Sequence, residues 1–103
     1  MNLSITTTGG DEGRALLVSG EVDVSNADEL RRAVDDALAA KPVRLEVNLA
    51  EVGYIDSTGI GVLVGASHHA EDLGCGFEVT HPQKNVRRVL GLLGVERELH
   101  VEE

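Results

Sequence analysis

The most restrictive feature of this chain is a strand–helix–strand pattern between Val43 and Thr80. Val43, Leu45, Val47 and Leu49 alternate with Arg44, Glu46 and Asn48, the period-2 signature of a strand with one buried face. A helix over Ser57 to Leu73 follows, burying Ile60, Leu63, Val64, Ser67 and Ala70. Gly74-Cys75-Gly76 stops it, and Phe77-Glu78-Val79-Thr80 forms the next strand. Strands joined by a helical crossover are expected to run parallel, with a right-handed connection. A strand covered by helices on both sides would be apolar throughout, so the alternation predicts helices mainly on one face of the sheet. The loop Ala50 to Asp56 then leaves the carboxyl end of a parallel strand and delivers Ser57 to a helix start. Open α/β sheets place their ligand and partner sites at that edge.

The flanking segments extend this unit. Leu3, Ile5 and Thr7 alternate with polar residues, Gly9 to Gly13 forms a turn, and Ala15-Leu16-Leu17-Val18 reads as the second arm of a hairpin. Ser25-Asn26-Ala27-Asp28 supplies a helix start, with the Ser25 hydroxyl as cap and Asp28 at the third helical position. Ala27, Leu30, Val34, Ala37 and Leu38 line its inner face, and it ends before Pro42. Pro82 opens a third helix, with Val86, Val89, Leu90 and Leu93 on one face and Gly94 at its end; Leu99 and Val101 add a short tail strand. No linker, charge block or repeat divides the 103 residues. The expectation is one α/β domain over 1–103, a mixed sheet of four or five strands with helices mainly on one face.

Composition removes several function classes. Eighteen acidic against nine basic residues give a net charge of −9, which repels phosphate backbones and anionic membranes. Tyr54 and Phe77 are the only aromatics, too few for base stacking. Direct nucleic-acid binding is therefore not expected. The single cysteine, Cys75, forms no internal disulfide and no cysteine-based zinc cluster, in keeping with a reduced, cytoplasmic setting. Met1-Asn2-Leu3-Ser4-Ile5 has neither the basic start nor the apolar run of a signal peptide. The longest stretch without charge, Ser57 to Ala70, is 14 residues, short of a membrane span.

Chemistry concentrates in Tyr54-Ile55-Asp56-Ser57-Thr58-Gly59-Ile60-Gly61. Asp56, Ser57 or Thr58 can each cap the helix that follows, which is the plainest use of such residues. Gly59, Gly61 and Gly65, however, stand where alanine would be favoured by about 0.8–1 kcal/mol each. Either they serve close helix packing, Gly61 and Gly65 in particular, or they bare the backbone for function. Exposed amides at the positive end of a helix welcome an anion. Asp56 would repel a free phosphate; a phosphate covalently attached to Ser57 does not depend on affinity.

Asp56-Ser57-Thr58-Gly59-Ile60-Gly61 closely resembles the signature of bacterial anti-sigma factor antagonists, the single-domain members of the STAS group. Gly20-Glu21-Val22-Asp23 matches that family's Gly-Glu-aliphatic-Asp element, and Val47-Asn48-Leu49 matches its third strand. The short third helix ending at Gly91 to Gly94, followed by a Leu/Val tail, fits as well, so the likeness spans essentially the whole chain. The resemblance implies a non-enzymatic module with no cofactor or metal and no catalytic residue of its own. Its partner would be an anti-sigma factor with serine kinase activity. The unmodified module binds that partner and frees a sigma factor; phosphorylation of the serine matching Ser57 ends binding, and a metal-dependent serine/threonine phosphatase reverses it. Thr58 is the rival acceptor. The docking surface implied is Asp23, Ser25, Asn26, Asp56, Ser57, Thr58, Gly59, Ile60 and Gly61, with the glycines presenting backbone and Ile60 one apolar contact.

Two other readings are open to the same chain. One keeps the fold but places it in a transporter or lipid-transport assembly. The other makes Ser57 a hydrolase nucleophile, but Ile55 and Gly59 flank it where a Gly-x-Ser-x-Gly elbow needs glycines, and no histidine is positioned by sequence to activate it. His68 and His69 are adjacent and diverge on a helix, while His68 with Asp72 makes only half a metal site. His81 and His100 read as loop and tail residues, and Cys75 as a packing residue. Asp23 with Asp56 has the form of an acid/base pair but lacks a partnering histidine.

Overall fold

The computed structural model describes residues 2–101; Met1, Glu102 and Glu103 lie outside the described residues. Strands β1 (Leu3–Gly9) and β2 (Gly13–Val22) form an antiparallel hairpin. Helix α1 (Ala27–Ala39) crosses from β2 to β3 (Arg44–Ile55), helix α2 (Ser57–Asp72) from β3 to β4 (Gly76–Thr80), and α3 (Lys84–Leu93) follows. The sheet is mixed, in the order β1-β2-β3-β4, with β2–β3 and β3–β4 both parallel. Two strand–helix–strand units therefore overlap on β3, one more than the expected unit.

The alternation read in the sequence decides the two faces. Leu45, Val47 and Leu49 are buried; Leu45 stands in register with Phe77 of β4, and Val47 with Leu16 of β2 and Val79 of β4. On this side α1 and α2 pack on each other and on β2 and β4, closing an aliphatic core in which Leu30, Leu38, Leu63 and Leu90 are fully buried. The opposite face is polar. Arg44 pairs with Glu78 at 2.7 Å, and Thr80 donates to Glu46.

Several expectations change. Val43 is 62 % exposed and lies ahead of β3 instead of on its buried face, and α3 starts at Lys84 with Gln83 at its N-cap, so Pro82 precedes the helix instead of opening it. Residues 50–55 are strand, not loop: β3 runs to Ile55 alongside Ser19–Val22 of β2. Extra residues on β3 shift the register twice, so Val52 and Ile55 are both inward at a spacing of three, and the period-2 signal is lost. Ser25 does not cap α1; Asn26 is the N-cap residue, which makes Asp28 the second helical residue. Leu93 is exposed, since α3 turns only Val86 and Leu90 fully inward. The tail makes a single parallel bridge, Val79–Val101, rather than a strand. Gly94 does end α3, in the left-handed conformation.

Gly20 belongs to the matched Gly-Glu-aliphatic-Asp element for a steric reason. Its φ is +109°, and a Cβ there would stand 2.1 Å from the Asn2 carbonyl oxygen, so only glycine lets the chain start approach β2.

Candidate functional site

At the carboxyl edge of the sheet, β3 hands over to α2 through one residue. Asp56 is extended (ψ −178°), and its carboxylate Oδ1 accepts the Gly59 amide at 3.0 Å. Its own amide donates to the Val22 carbonyl at 3.1 Å, clamping the end of β2 beside the start of α2. This is an N-cap: the side chain satisfies an amide that the helix leaves without a partner. Ser57 and Thr58 are then the first two helical residues, and both are exposed. Among the described residues neither hydroxyl makes a hydrogen bond.

The neighbouring loop, from β2 to α1, is tied to itself. Asp23 Oδ1 accepts both the Ser25 amide (2.9 Å) and the Ser25 hydroxyl (2.5 Å). The hydroxyl bond is the main reason the Asp23 carboxyl titrates below its ordinary value. Asn26 Oδ1 accepts the Asp23 amide, and its Nδ2 donates to the Glu21 carbonyl, each at 2.9 Å. The amides of Asn26 and Ala27 both donate to the Asp23 carbonyl.

Five of the expected docking residues thus meet at one edge: Asp23, Ser25, Asp56, Ser57 and Thr58. Three others do not present themselves. Asn26 is buried and serves as an internal brace. Ile60 is only 2 % exposed, because the helix turns it into the core. Gly59 is buried too; a Cβ there would lie 2.7 Å from Val22 Cγ1 and 2.8 Å from Ile55 Cγ1. Its amide is occupied by Asp56, so it is a packing glycine and not an open backbone donor. The alternative for Gly61 and Gly65 fails in the opposite sense. Nothing lies within 4 Å of a Cβ at either position; with Thr58 and Val62 on α2 and Arg31 and Asp35 on α1 they line an open groove of about 450 Å³.

Two residues at this edge escaped the sequence reading. Val24 is 77 % exposed between Asp23 and Ser25, and Tyr54 is 45 % exposed at the end of β3. An apolar residue inside a polar turn, and the lone tyrosine placed three residues before the serine, were the signals that could have found them.

The remaining candidates have structural uses. His68 Nε2 meets Glu98 at 3.1 Å, not Asp72, while Ser67 donates to the Glu98 carbonyl at 2.6 Å; both tie the C-terminal turn to α2. Cys75 is buried, and burial pushes its thiol pKa up, the reverse of an activated nucleophile. No cluster of three or more potential metal ligands occurs among the described residues, and no helix there is long and apolar enough to cross a membrane.

The family profile described as "Mlab, STAS domain" matches residues 5–102. The chain belongs to the STAS-domain family. The STAS chain is 30 % identical over 103 residues to an anti-sigma-B factor antagonist of Staphylococcus epidermidis, covering all of this chain and 95 % of that protein. It is similar in structure to an anti-sigma factor antagonist from Mycobacterium paratuberculosis, with a TM-score of 0.86 and 26 % identity over 97 % of this chain and 85 % of that one. The phosphorylated form of the Bacillus cell fate determinant SpoIIAA shares the fold, with a TM-score of 0.72 and 16 % identity over 99 % of this chain and 92 % of that one.

Proposed function

We propose that this STAS domain is a cytoplasmic anti-sigma factor antagonist without catalytic activity of its own, switched by phosphorylation of Ser57. The observation that carries the reading is the exposed, unbonded Ser57 hydroxyl at the first position of a helix whose cap is already supplied by Asp56. The antagonist role is that of its relatives in Staphylococcus and Mycobacterium, and a protein of this fold exists in a phosphorylated form.

In the proposed reaction, Ser57 Oγ attacks the terminal phosphorus of ATP held by the anti-sigma factor. The bond to the bridging oxygen breaks, ADP leaves, and the hydroxyl proton passes to a base on the partner. A metal-dependent phosphatase reverses the step by adding water to the phosphorus, releasing inorganic phosphate and restoring the hydroxyl. The product carries about −1.5 to −2 charges at a helix N-terminus, where the dipole favours an anion by about 0.3–1 kcal/mol. The domain itself is therefore not unfolded by the modification. The partner feels it instead: a kinase must bring nucleotide phosphates against this oxygen, so a phosphate already there meets both crowding and like charge. An uncompensated charge in a closed interface costs on the order of 2–5 kcal/mol, or about 30-fold or more in affinity.

Incubation with the cognate anti-sigma factor and ATP, followed by mass spectrometry, tests the site. Phosphate on Ser57, no uptake by Ser57→Ala and undiminished partner binding by that variant are expected. Phosphate on Thr58 or elsewhere contradicts the assignment.

A further inference from the structure

Burial of Ile60 leaves the docking face without the apolar contact expected of it, and the structure offers two replacements. Of the two aromatic residues, Phe77 goes into the core while Tyr54 stays 45 % exposed. Tyr54 pairs in register with Glu21, and the next pair is Val22 with Ile55. The bond from the Asp56 amide to the Val22 carbonyl sets the ends of β2 and β3 side by side; Val24 lies two residues beyond Val22 and Tyr54 two residues before Asp56, so both belong to the sheet edge that delivers Ser57. Val24, at 77 %, is among the most exposed large apolar residues of the described chain.

The charges around this pair are mostly of one sign. Glu21 and Asp23 lie on the β2 side, Asp28 and Glu29 in the first turn of α1, and Asp56 at the cap. Arg31 is already engaged by Asp28, and Lys84 stands at the start of α3, where Asn85 donates to the Gly53 carbonyl at 2.8 Å. We infer that Val24 and Tyr54 are the apolar anchors of the docking face, and that they seat in an apolar recess ringed by basic residues on the anti-sigma factor. This rests on the function proposed above and names the chemistry of the partner's surface. Tyrosine buries a large area at small entropic cost and is over-represented among residues that dominate binding energy. The acidic rim contributes mainly to association rate and to salt dependence.

The test is titration calorimetry of the unphosphorylated chain with its cognate anti-sigma factor, at low and high salt. Wild type is compared with Tyr54→Ala, Val24→Ser and a control, Leu17→Ser, whose side chain is 41 % exposed on β2. Circular dichroism and Tm confirm folding of each variant. Expected are a loss of about tenfold or more for Tyr54→Ala and about fivefold for Val24→Ser, no more than about twofold for Leu17→Ser, and weaker wild-type binding as salt rises. Binding within about twofold of wild type for both site variants overturns the anchors, and salt-independent binding overturns the basic surface. Absence of any wild-type binding instead overturns the antagonist reading itself, which separates the two failures.

Discussion

Two aspartate–serine pairs meet at one edge of this sheet and use their serines in opposite ways. In the β2–α1 loop, Ser25 lies two residues after Asp23, and its amide and hydroxyl both fold back onto the aspartate. In the β3–α2 junction, Ser57 directly follows Asp56, whose carboxylate is turned forward onto the Gly59 amide. One spacing closes an Asx-type turn; the other builds a helix cap and leaves the next hydroxyl in solvent. An aspartate–serine pair is thus a lock or a handle according to a single residue of separation, and only the second leaves its hydroxyl without a hydrogen-bond partner among the described residues.

The comparison breaks most severely at Asn26. Replacing it with alanine removes two hydrogen bonds from partly buried partners, the Asp23 amide and the Glu21 carbonyl. Urea unfolding is expected to show a loss of roughly 2–3 kcal/mol, whereas Ser25→Ala, on the exposed side of the same loop, loses well under half of that.

The glycines sharpen the contrast within α2. Gly59→Ala forces a methyl to within 2.7–2.8 Å of Val22 and Ile55, an overpacking cost of about 1–3 kcal/mol against a helix-propensity gain of about 1 kcal/mol. Gly61→Ala meets open space and retains that gain. Thermal melts are expected to move in opposite directions, Gly59→Ala down and Gly61→Ala up.

The smallest effect concerns pH. Because Asp23 titrates below its ordinary value of 3.8 in the folded chain, its ionised form is more favoured in the folded than in the unfolded state. Its contribution is present at neutral pH and disappears as pH falls through the carboxylate range. Ser25→Ala removes the largest cause, so the stability gap between variant and wild type is expected to close as pH falls below the ordinary carboxyl value of 3.8. Denaturant melts across that range provide the check; a gap that persists in acid assigns the effect of Ser25 to something other than Asp23.

Much of this architecture was legible in the sequence because one-sided burial writes a period. The alternation of Leu45, Val47 and Leu49 and the helical spacing of Ile60, Leu63, Ser67 and Ala70 gave the strand, the helix and the parallel pair. The end of β3 was hidden by its register shifts, which put Val52 and Ile55 on one face at the wrong spacing. At the site, Asp56, Ser57 and Thr58 were visible as a group. Their division into cap and free hydroxyls was not, since all three residue types can cap. Ile60 was misread because a motif carries residues that serve the core as well as residues that serve a surface. Asn26 was misread because its partners are backbone groups, which leave no trace in side-chain pattern. Val24 went unnoticed, and Tyr54, though part of the informative stretch, was given no role, because exposure is a property of the assembled edge.

The central claim is that a phosphate on Ser57 closes a docking face without rebuilding the domain. Its most direct test is calorimetry of the cognate anti-sigma factor with unmodified chain and with chain phosphorylated solely at Ser57, each checked for an unchanged far-ultraviolet spectrum and Tm. Affinity is expected to fall by about 30-fold or more on phosphorylation while the fold stays intact. Equal affinity of the two forms, or a loss of binding that accompanies unfolding, would contradict that claim.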